Sequence, residues 1–485
     1  MAPPEKKLAG NKILWIFAVG QLGWSILSGI ISSWLVFFFQ PTSEEIDKGQ
    51  QVFIPQGLFL GLTLIGLITA VGRIFDAVTD PFIAGKSDSC RHRLGRRIPF
   101  MRFAAIPFGV VTALLFWSPG GEESGINGVW LFVFAILFYL CMTCYCTPYN
   151  ALIPELGRTQ KTRINLSTYI SVTYFFGTAI AYLVPNIAAF FYSTAVNEET
   201  GEISIIRSVT SYAGSYRITI SILAVIAVIC MLVPAFLIDE QEYADTTPSK
   251  ADTFSSLIKT FKNKDFRIFV GSDILYWIAL TLFQTGLSFY ITVLMGLDKT
   301  MTFPLFAVMT FCSFLCYPAV NILAKKLGKK KLIAFAFLFF SFAFLVTTFA
   351  GLTPIPPMVY GVLIAVLAAI PMAILGILPQ AVVADISEAD SKATGESRQG
   401  MFYAARTFAF KLGQSAAMLI FTSLSVIGGD IEKGESGYGI GYRITAIAAT
   451  VLCLLGGMVF LRYDEKKVLA QIEGKAESNK VESSK

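Results

Sequence analysis

Apolar stretches of about 20 residues or more, the length an α-helix needs to cross a hydrocarbon core of ~30 Å, recur twelve times along this chain. They lie near residues 13–39, 56–84, 100–118, 127–151, 166–192, 217–238, 268–295, 302–325, 331–350, 357–383, 402–427 and 441–462. Inside a bilayer every backbone N–H and C=O must be satisfied within the protein, and a single apolar segment achieves this only as a helix. The composition agrees: 54% of the 485 residues are hydrophobic and 15% are charged, more apolar surface than a soluble core buries. The predicted fold class is an all-α, multi-pass membrane protein of twelve transmembrane helices, and the expected location is the cell membrane. The first stretch, uncharged from Ile13 to Phe39, is too long for a signal-peptide core and ends without a small-residue cleavage site, so it counts as a span.

The loops alternate in charge. Those around 85–102 (Lys86, Arg91, Arg93, Arg96, Arg97, Arg102), 155–165 (Arg158, Lys161, Arg163) and 325–331 (Lys325, Lys326, Lys329, Lys330, Lys331) are basic, whereas those around 40–55, 119–126 and 193–216 are acidic. Lys and Arg are retained on the cytoplasmic side, so the basic loops and both termini are predicted to be cytoplasmic, as an even number of spans requires. The longest internal polar stretch, Asp239 to Lys264, follows the sixth span. The predicted organisation is a six-helix half over 1–238, a cytoplasmic middle loop over 239–266, a second six-helix half over 267–463 and a cytoplasmic, disordered tail over 464–485. Leu94-Gly95-Arg96-Arg97 after the second span and Leu327-Gly328-Lys329-Lys330 after the eighth occupy matching places, the mark of a duplicated unit.

Residue usage excludes several functions. The net charge of +6 is gathered in loops where it orients the chain, so nucleic acid is not implied. The single histidine, His92, lies in a basic loop, which leaves neither a proton path of buried histidines nor a histidine-based triad in the membrane. Eight cysteines are scattered, and Cys141 and Cys144 form a lone C-x-x-C inside an apolar segment, without the second ligand pair of a zinc site. With no nucleophile elbow, zinc-protease helix or phosphate loop, the chain is read as a non-enzyme without a cofactor.

Charge inside a span costs about 3 kcal/mol per group even on the lenient insertion scale, so it persists where it is paired, wetted or used. Arg73, Asp76 and Asp80 fall within the second span, at spacings that place them on one helical face. At ~1.5 Å per residue, Asp76 lies about 12 Å and Asp80 about 6 Å from the cytoplasmic end, and Thr143 on the fourth span reaches the depth of Asp76. Two carboxylates and a hydroxyl are the hard oxygen ligands that a small monovalent cation takes. The competing reading pairs Arg73 with both acids and leaves Asp80, next to Pro81, to cap or kink the helix. Pro148 in span four frees the carbonyl of Cys144, which makes Tyr145, Cys146, Tyr149 and Asn150 cavity candidates. Lys411 stands near the midplane of span eleven, whereas Arg406, one turn earlier, is expected to snorkel to the interface. Gln284 in span seven, with Trp24 and Ser25 in span one, offers hydrogen bonds and a stacking platform, or ordinary packing.

At three blocks the chain resembles the glycoside-pentoside-hexuronide:cation symporters, the melibiose-permease-like branch of the major facilitator superfamily. The first is Arg73-Ile-Phe-Asp76-Ala-Val-Thr-Asp80-Pro81 with Ser87-Asp88 and Arg93-Leu-Gly95-Arg96-Arg97-Ile-Pro99-Phe100, and the second is Thr147-Pro148-Tyr149-Asn150-Ala-Leu-Ile-Pro154-Glu155. The third runs from Ala384-Asp385-Ile-Ser-Glu-Ala-Asp390 through Gly395-Glu-Ser-Arg398-Gln-Gly400-Met-Phe-Tyr403 to Lys411-Leu-Gly413.

The resemblance implies a major facilitator fold with alternating access, and Na⁺ or H⁺ coupling at Asp76, Asp80 and Thr143. It also implies a solute cavity bounded by Trp24, Ser25, Tyr145, Cys146, Tyr149, Asn150, Gln284 and Lys411. Charge balance and gating would fall to Arg73, Asp88, Arg93, Arg96, Arg97, Asp385 and Arg398. Galactoside-transporting members carry acids where this chain has Ser25 and Cys146, an arginine where it has Ile170 and a tryptophan where it has Gly376. The expected function is cation-coupled import of a small organic solute, a glycoside or oligosaccharide, by a monomer whose other partner is membrane lipid. The alternatives are transport of an amphipathic or lipid-like solute, such as the lysolipids moved by animal relatives, and a non-transporting sensor on the same scaffold.

Overall fold

The computed structural model describes residues 7–59, 61–196, 203–244, 259–394, 399–428 and 439–472. Twelve helices of 18 residues or more stand among the described residues. They are α1 (Asn11–Phe39), α2 (Leu64–Asp88), α3 (Ile98–Leu115), α4 (Gly125–Leu156), α5 (Gln160–Tyr182) and α6 (Tyr212–Leu237). Then follow α7 (Lys264–Phe289), α8 (Thr302–Leu327), α9 (Lys329–Thr348), α10 (Pro357–Thr394), α11 (Gln399–Ser425) and α12 (Ile440–Phe460). Nine long helices among the described residues are long and apolar enough to cross a membrane. The three outside that set are α2, α5 and α11, and α2 and α11 carry the intramembrane charges singled out by the sequence.

Local chemistry explains where the helices begin. Side chains satisfy the first orphan N–H groups at α2 (Thr63 Oγ1 from Gly66 N, 3.2 Å), α4 (Ser124 Oγ from Ile126 N, 3.2 Å), α6 (Ser211 Oγ from Gly214 N, 3.1 Å) and α7 (Asn263 Oδ1 from Phe266 N, 3.0 Å). Proline does not break α2 or α4: both run unbroken past Pro81 and Pro148. Two short antiparallel hairpins form, Leu58–Phe59 with Leu62–Thr63 and Tyr192–Val196 with Ile203–Ser208; the first occupies the start of the expected second span, 56–84, which becomes helical only at Leu64. The expected fifth span, 166–192, ends instead at Tyr182, with Pro185 opening a separate short turn of helix.

The chain divides into two compact units, α1–α6 and α7–α12. In the first, α1 packs on α5 and α6, α2 on α4, and α3 on α4 and α6. In the second, α7 packs on α11 and α12, α8 on α10, and α9 on α10 and α12. Adding six to each helix number converts one list into the other, so the duplication hinted at by two tetrapeptides extends to the packing of every long helix. Close approach depends on small residues. A Cβ on Gly177 of α5 would collide with Ser25 Oγ of α1, and one on Gly72 of α2 would lie 2.5 Å from the Tyr139 ring of α4.

Candidate functional site

The α2–α4 contact brings together a seam of oxygen atoms, buried at Asp76 and Thr143 and half-buried at Thr79, Asp80 and Thr147. Asp76 is 0% exposed and its Oδ1 accepts from Thr143 Oγ1 at 2.6 Å. One turn along both helices, Thr147 Oγ1 donates to Asp80 Oδ1 at 3.0 Å. Between these pairs, Thr79 Oγ1 lies 3.4 Å from Thr143 Oγ1. Spacings of three and four residues place Asp76, Thr79 and Asp80 on one face of α2, and Thr143 and Thr147 on one face of α4. Thr79 and Thr147 escape the sequence reading because hydroxyls cost little in a span. Their only signal is helical spacing from Asp76 and Thr143.

Arg73 is held elsewhere. Its Nη2 reaches Ser32 Oγ at 3.5 Å and its guanidinium lies over the Tyr139 ring, 5.1 Å from the centroid. The competing expectation, Arg73 paired with both acids, is thus replaced by a polar and a cation–π contact, while the acids face threonines.

Several expected solute-lining residues are instead internal to the first unit. Tyr145 and Tyr149 are both 0% exposed, and their hydroxyls donate to main-chain carbonyls of Met231 (2.9 Å) and Phe17 (2.8 Å). Tyr149 also stacks on Phe17 at 4.1 Å. Ser25 is buried against Gly177 and donates to the carbonyls of Gln21 and Leu22. These three side chains are corrected to helix-packing roles, because their polar atoms are spent on backbone. Cys146 is half-buried, Asn150 is exposed, and Trp24 keeps an indole N–H without a partner among the described residues.

In the second unit a polar strip runs along α7. Trp277, Thr281, Gln284 and Ser288 follow helical spacing on one face, and Trp277 stacks on Phe410 of α11 at 4.5 Å. Among the described residues, Trp277 Nε1, Thr281 Oγ1, Ser288 Oγ and Gln414 Oε1 are buried without a hydrogen-bond partner. Unsatisfied buried polar atoms are rare enough to need an explanation. Gln284 belongs to the sequence expectation, and Lys411 is buried on the adjoining α11. Trp277, Thr281, Ser288 and Gln414 escape it because each alone reads as packing.

Arg406 corrects another expectation. It does not snorkel: its Nε and Nη2 donate to Asp273 Oδ2 (2.8 Å) and Oδ1 (3.0 Å), and the two side chains are only 6% and 4% exposed.

The basic loops form charge-paired clasps. Arg97 pairs with Glu155 at 2.5 Å and with Asp88 at 3.4 Å, and Arg96 reaches Glu155 at 3.4 Å. Arg93 is exposed and outside this cluster. In the second unit Lys329 pairs with Asp385, and Arg398 lies outside the described residues. Each clasp is backed by a glutamate that follows the last helix of its unit. The Glu240 carboxylate accepts the N–H groups of Arg96, Arg97 and Ile98 at 2.8–2.9 Å. Glu465 accepts those of Lys329 and Lys330 at 2.8 and 2.9 Å. Gly95 has φ +107°, and a Cβ there would collide with the Glu240 carboxylate, so this glycine admits the carboxylate as well as the turn.

The repeated Asp239-Glu240 and Asp464-Glu465 are the available signal for these caps. Glu240→Gln is expected to cost about 2 kcal/mol, since it removes charge from a cap of three N–H groups. Glu242→Gln, at the exposed pair with Lys7, should stay within ~1 kcal/mol of wild type. Thermal unfolding of the purified protein in detergent distinguishes them, and equal effects would remove the special role of the cap.

A family model described as MFS/sugar transport protein matches residues 16–465. The chain is similar to the uncharacterized symporter sll1374 of Synechocystis sp., with 22% identity over 83% of each chain. It is also similar to the sodium-dependent lysophosphatidylcholine symporter 1 of Xenopus tropicalis, with 23% identity over 82% of this chain and 79% of that one. Among solved structures, the nucleoside transporter NupG superposes with a TM-score of 0.59 at 12% identity, covering 94% of this chain and 99% of that one; this likeness concerns the fold. The relatives named here are transporters, not enzymes.

Proposed function

The chain belongs to the MFS/sugar transport protein family and is a multi-pass membrane protein, and from that premise we propose that it imports a small organic solute in symport with Na⁺. The observation that carries this reading is the α2–α4 seam. A proton needs one carboxylate, whereas here two carboxylates and three threonine hydroxyls line one helix contact, buried at Asp76. That set suits a hard cation bound by oxygen. Na⁺ held there would neutralise Asp76 and offset the cost of keeping it buried.

The solute proposed is a glycoside or oligosaccharide, recognised by the hydrogen-bonding strip of Trp277, Thr281, Gln284 and Ser288 with Lys411 and Gln414 beside it. Trp277 offers a flat face for a sugar ring. Coupling is reciprocal, so the solute raises Na⁺ affinity by the factor by which Na⁺ raises solute affinity. The clasps of Arg97 with Glu155 and Asp88, and of Lys329 with Asp385, are proposed as cytoplasmic gates that open when these pairs separate. Twelve spans, with both termini in the cytoplasm, are part of the same reading.

A second reading, an amphipathic solute, is favoured by Ser25 and Cys146 standing where the resemblance to galactoside transporters implies acids, and by the similarity to a lysophosphatidylcholine symporter. Counterflow in proteoliposomes, with panels of glycosides and of amphipaths, separates the two. Uptake indifferent to both Na⁺ and pH would sink cation coupling. Within the seam, Thr147→Val is expected to raise the Na⁺ concentration for half-maximal uptake about tenfold, for loss of one oxygen worth ~1.5 kcal/mol. The solute KM at saturating Na⁺ should stay unchanged.

A further inference from the structure

The loop between α2 and α3 borders an open cleft of about 430 Å³, lined by Cys90, Arg91, His92, Arg93, Gly95, Arg96 and Gln241. No carboxylate is among the lining residues. The nearby acids are committed elsewhere: Glu240 caps α3, Asp88 pairs with Arg97, and Glu155 pairs with both Arg97 and Arg96. Arg91, His92 and Arg93 are exposed, and neither arginine pairs with a carboxylate among the described residues.

The loop carrying these cations is nonetheless held in one shape. Gln241 Nε2 donates to Arg93 O at 2.6 Å, Gly95 N to His92 O at 3.0 Å and Leu94 N to His92 Nδ1 at 3.2 Å. Arg91 and Arg93 border one cleft without a carboxylate partner among the described residues, and like charges this close in sequence repel one another unless an anion lies between them. Guanidinium forks match phosphate oxygens in pairs, which gives such an anion geometry as well as charge.

We propose that this cleft is a binding site for a phosphate-bearing anion, held by Arg91 and Arg93 and distinct from the α2–α4 seam. The volume falls in the range of small-ligand sites and exceeds what one phosphate group fills, leaving room for the group that carries it. That phosphate can belong to a lipid headgroup or to a soluble molecule, and the recognition chemistry is the same.

The test uses the full-length protein in nanodiscs, with apparent Tm and calorimetric titration as readouts. One arm titrates inorganic phosphate into phosphatidylcholine discs at constant ionic strength, with chloride as control. The other compares discs containing phosphatidic acid with discs containing phosphatidylglycerol. Saturable binding of inorganic phosphate assigns a soluble source. Stabilisation by phosphatidic acid over phosphatidylglycerol assigns a lipid source. In either case Arg91→Gln/Arg93→Gln should weaken binding about tenfold or more, since it removes two charge-assisted contacts. Both side chains are exposed, so the unliganded Tm of this variant should match wild type and Arg91→Gln alone should give an intermediate loss. The proposal is overturned if neither phosphate source exceeds its control, or if the double variant binds as wild type does.

Discussion

Asp76→Asn is expected to lower Na⁺ affinity about 100-fold and abolish accumulation of solute against its gradient, while leaving the fold intact. Asparagine keeps the shape of Asp76 and an oxygen to accept from Thr143, whose Oγ1 lies 2.6 Å from Asp76 Oδ1. What it lacks is the charge that offsets the cation's lost hydration. Removing one partner of a buried, hydrogen-bonded charge pair costs about 2–5 kcal/mol, and ~3 kcal/mol corresponds to the expected factor. Na⁺-gradient uptake in proteoliposomes measures accumulation, and counterflow without a gradient measures solute translocation by itself. The proposed site predicts loss of the first with survival of the second. Wild-type accumulation by the Asp76→Asn variant would place the coupling site elsewhere.

Arg406→Met is expected to destabilise the second unit by about 3–5 kcal/mol, because it leaves the buried Asp273 carboxyl without its partner. The pair is bidentate, at 2.8 and 3.0 Å, with side chains 6% and 4% exposed. Buried pairs are easily broken by removing one member and often dispensable when both are replaced by apolar groups. The double variant Arg406→Met/Asp273→Leu should therefore recover most of the lost stability. Apparent Tm in detergent provides the comparison. If the single and double variants melt together, the ion pair does not govern stability here.

The site is only partly legible before folding. Asp76 and Asp80 announce themselves because charge in a span is costly wherever it points, and Thr143 can be added by depth alone. Depth does not report rotation, however. Tyr145 and Tyr149 lie on the correct helix near the correct depth, yet their hydroxyls turn into the packing with α6 and α1. Arg406 shows the same limit. Its distance from the span end allows snorkelling, but Asp273 on α7 stands where its guanidinium can be met inside the unit. Glu240 is hidden for another reason: its partners lie more than 140 residues away in the chain, beyond any local pattern.

By itself the sequence determined the membrane setting, the long helices and the intramembrane carboxylates, because the free energies behind them are local. Each residue meets hydrocarbon or water according to its own polarity, whatever the rest of the chain does. Only the tertiary structure decided which polar atoms face one another. It set Thr79 against Thr143 and Thr147 against Asp80, spent the tyrosines on backbone carbonyls and set paired glutamates beneath the basic loops. Those outcomes depend on helix rotation and on contacts between distant segments, where a turn of one residue, about 100°, carries a side chain from one neighbour to another.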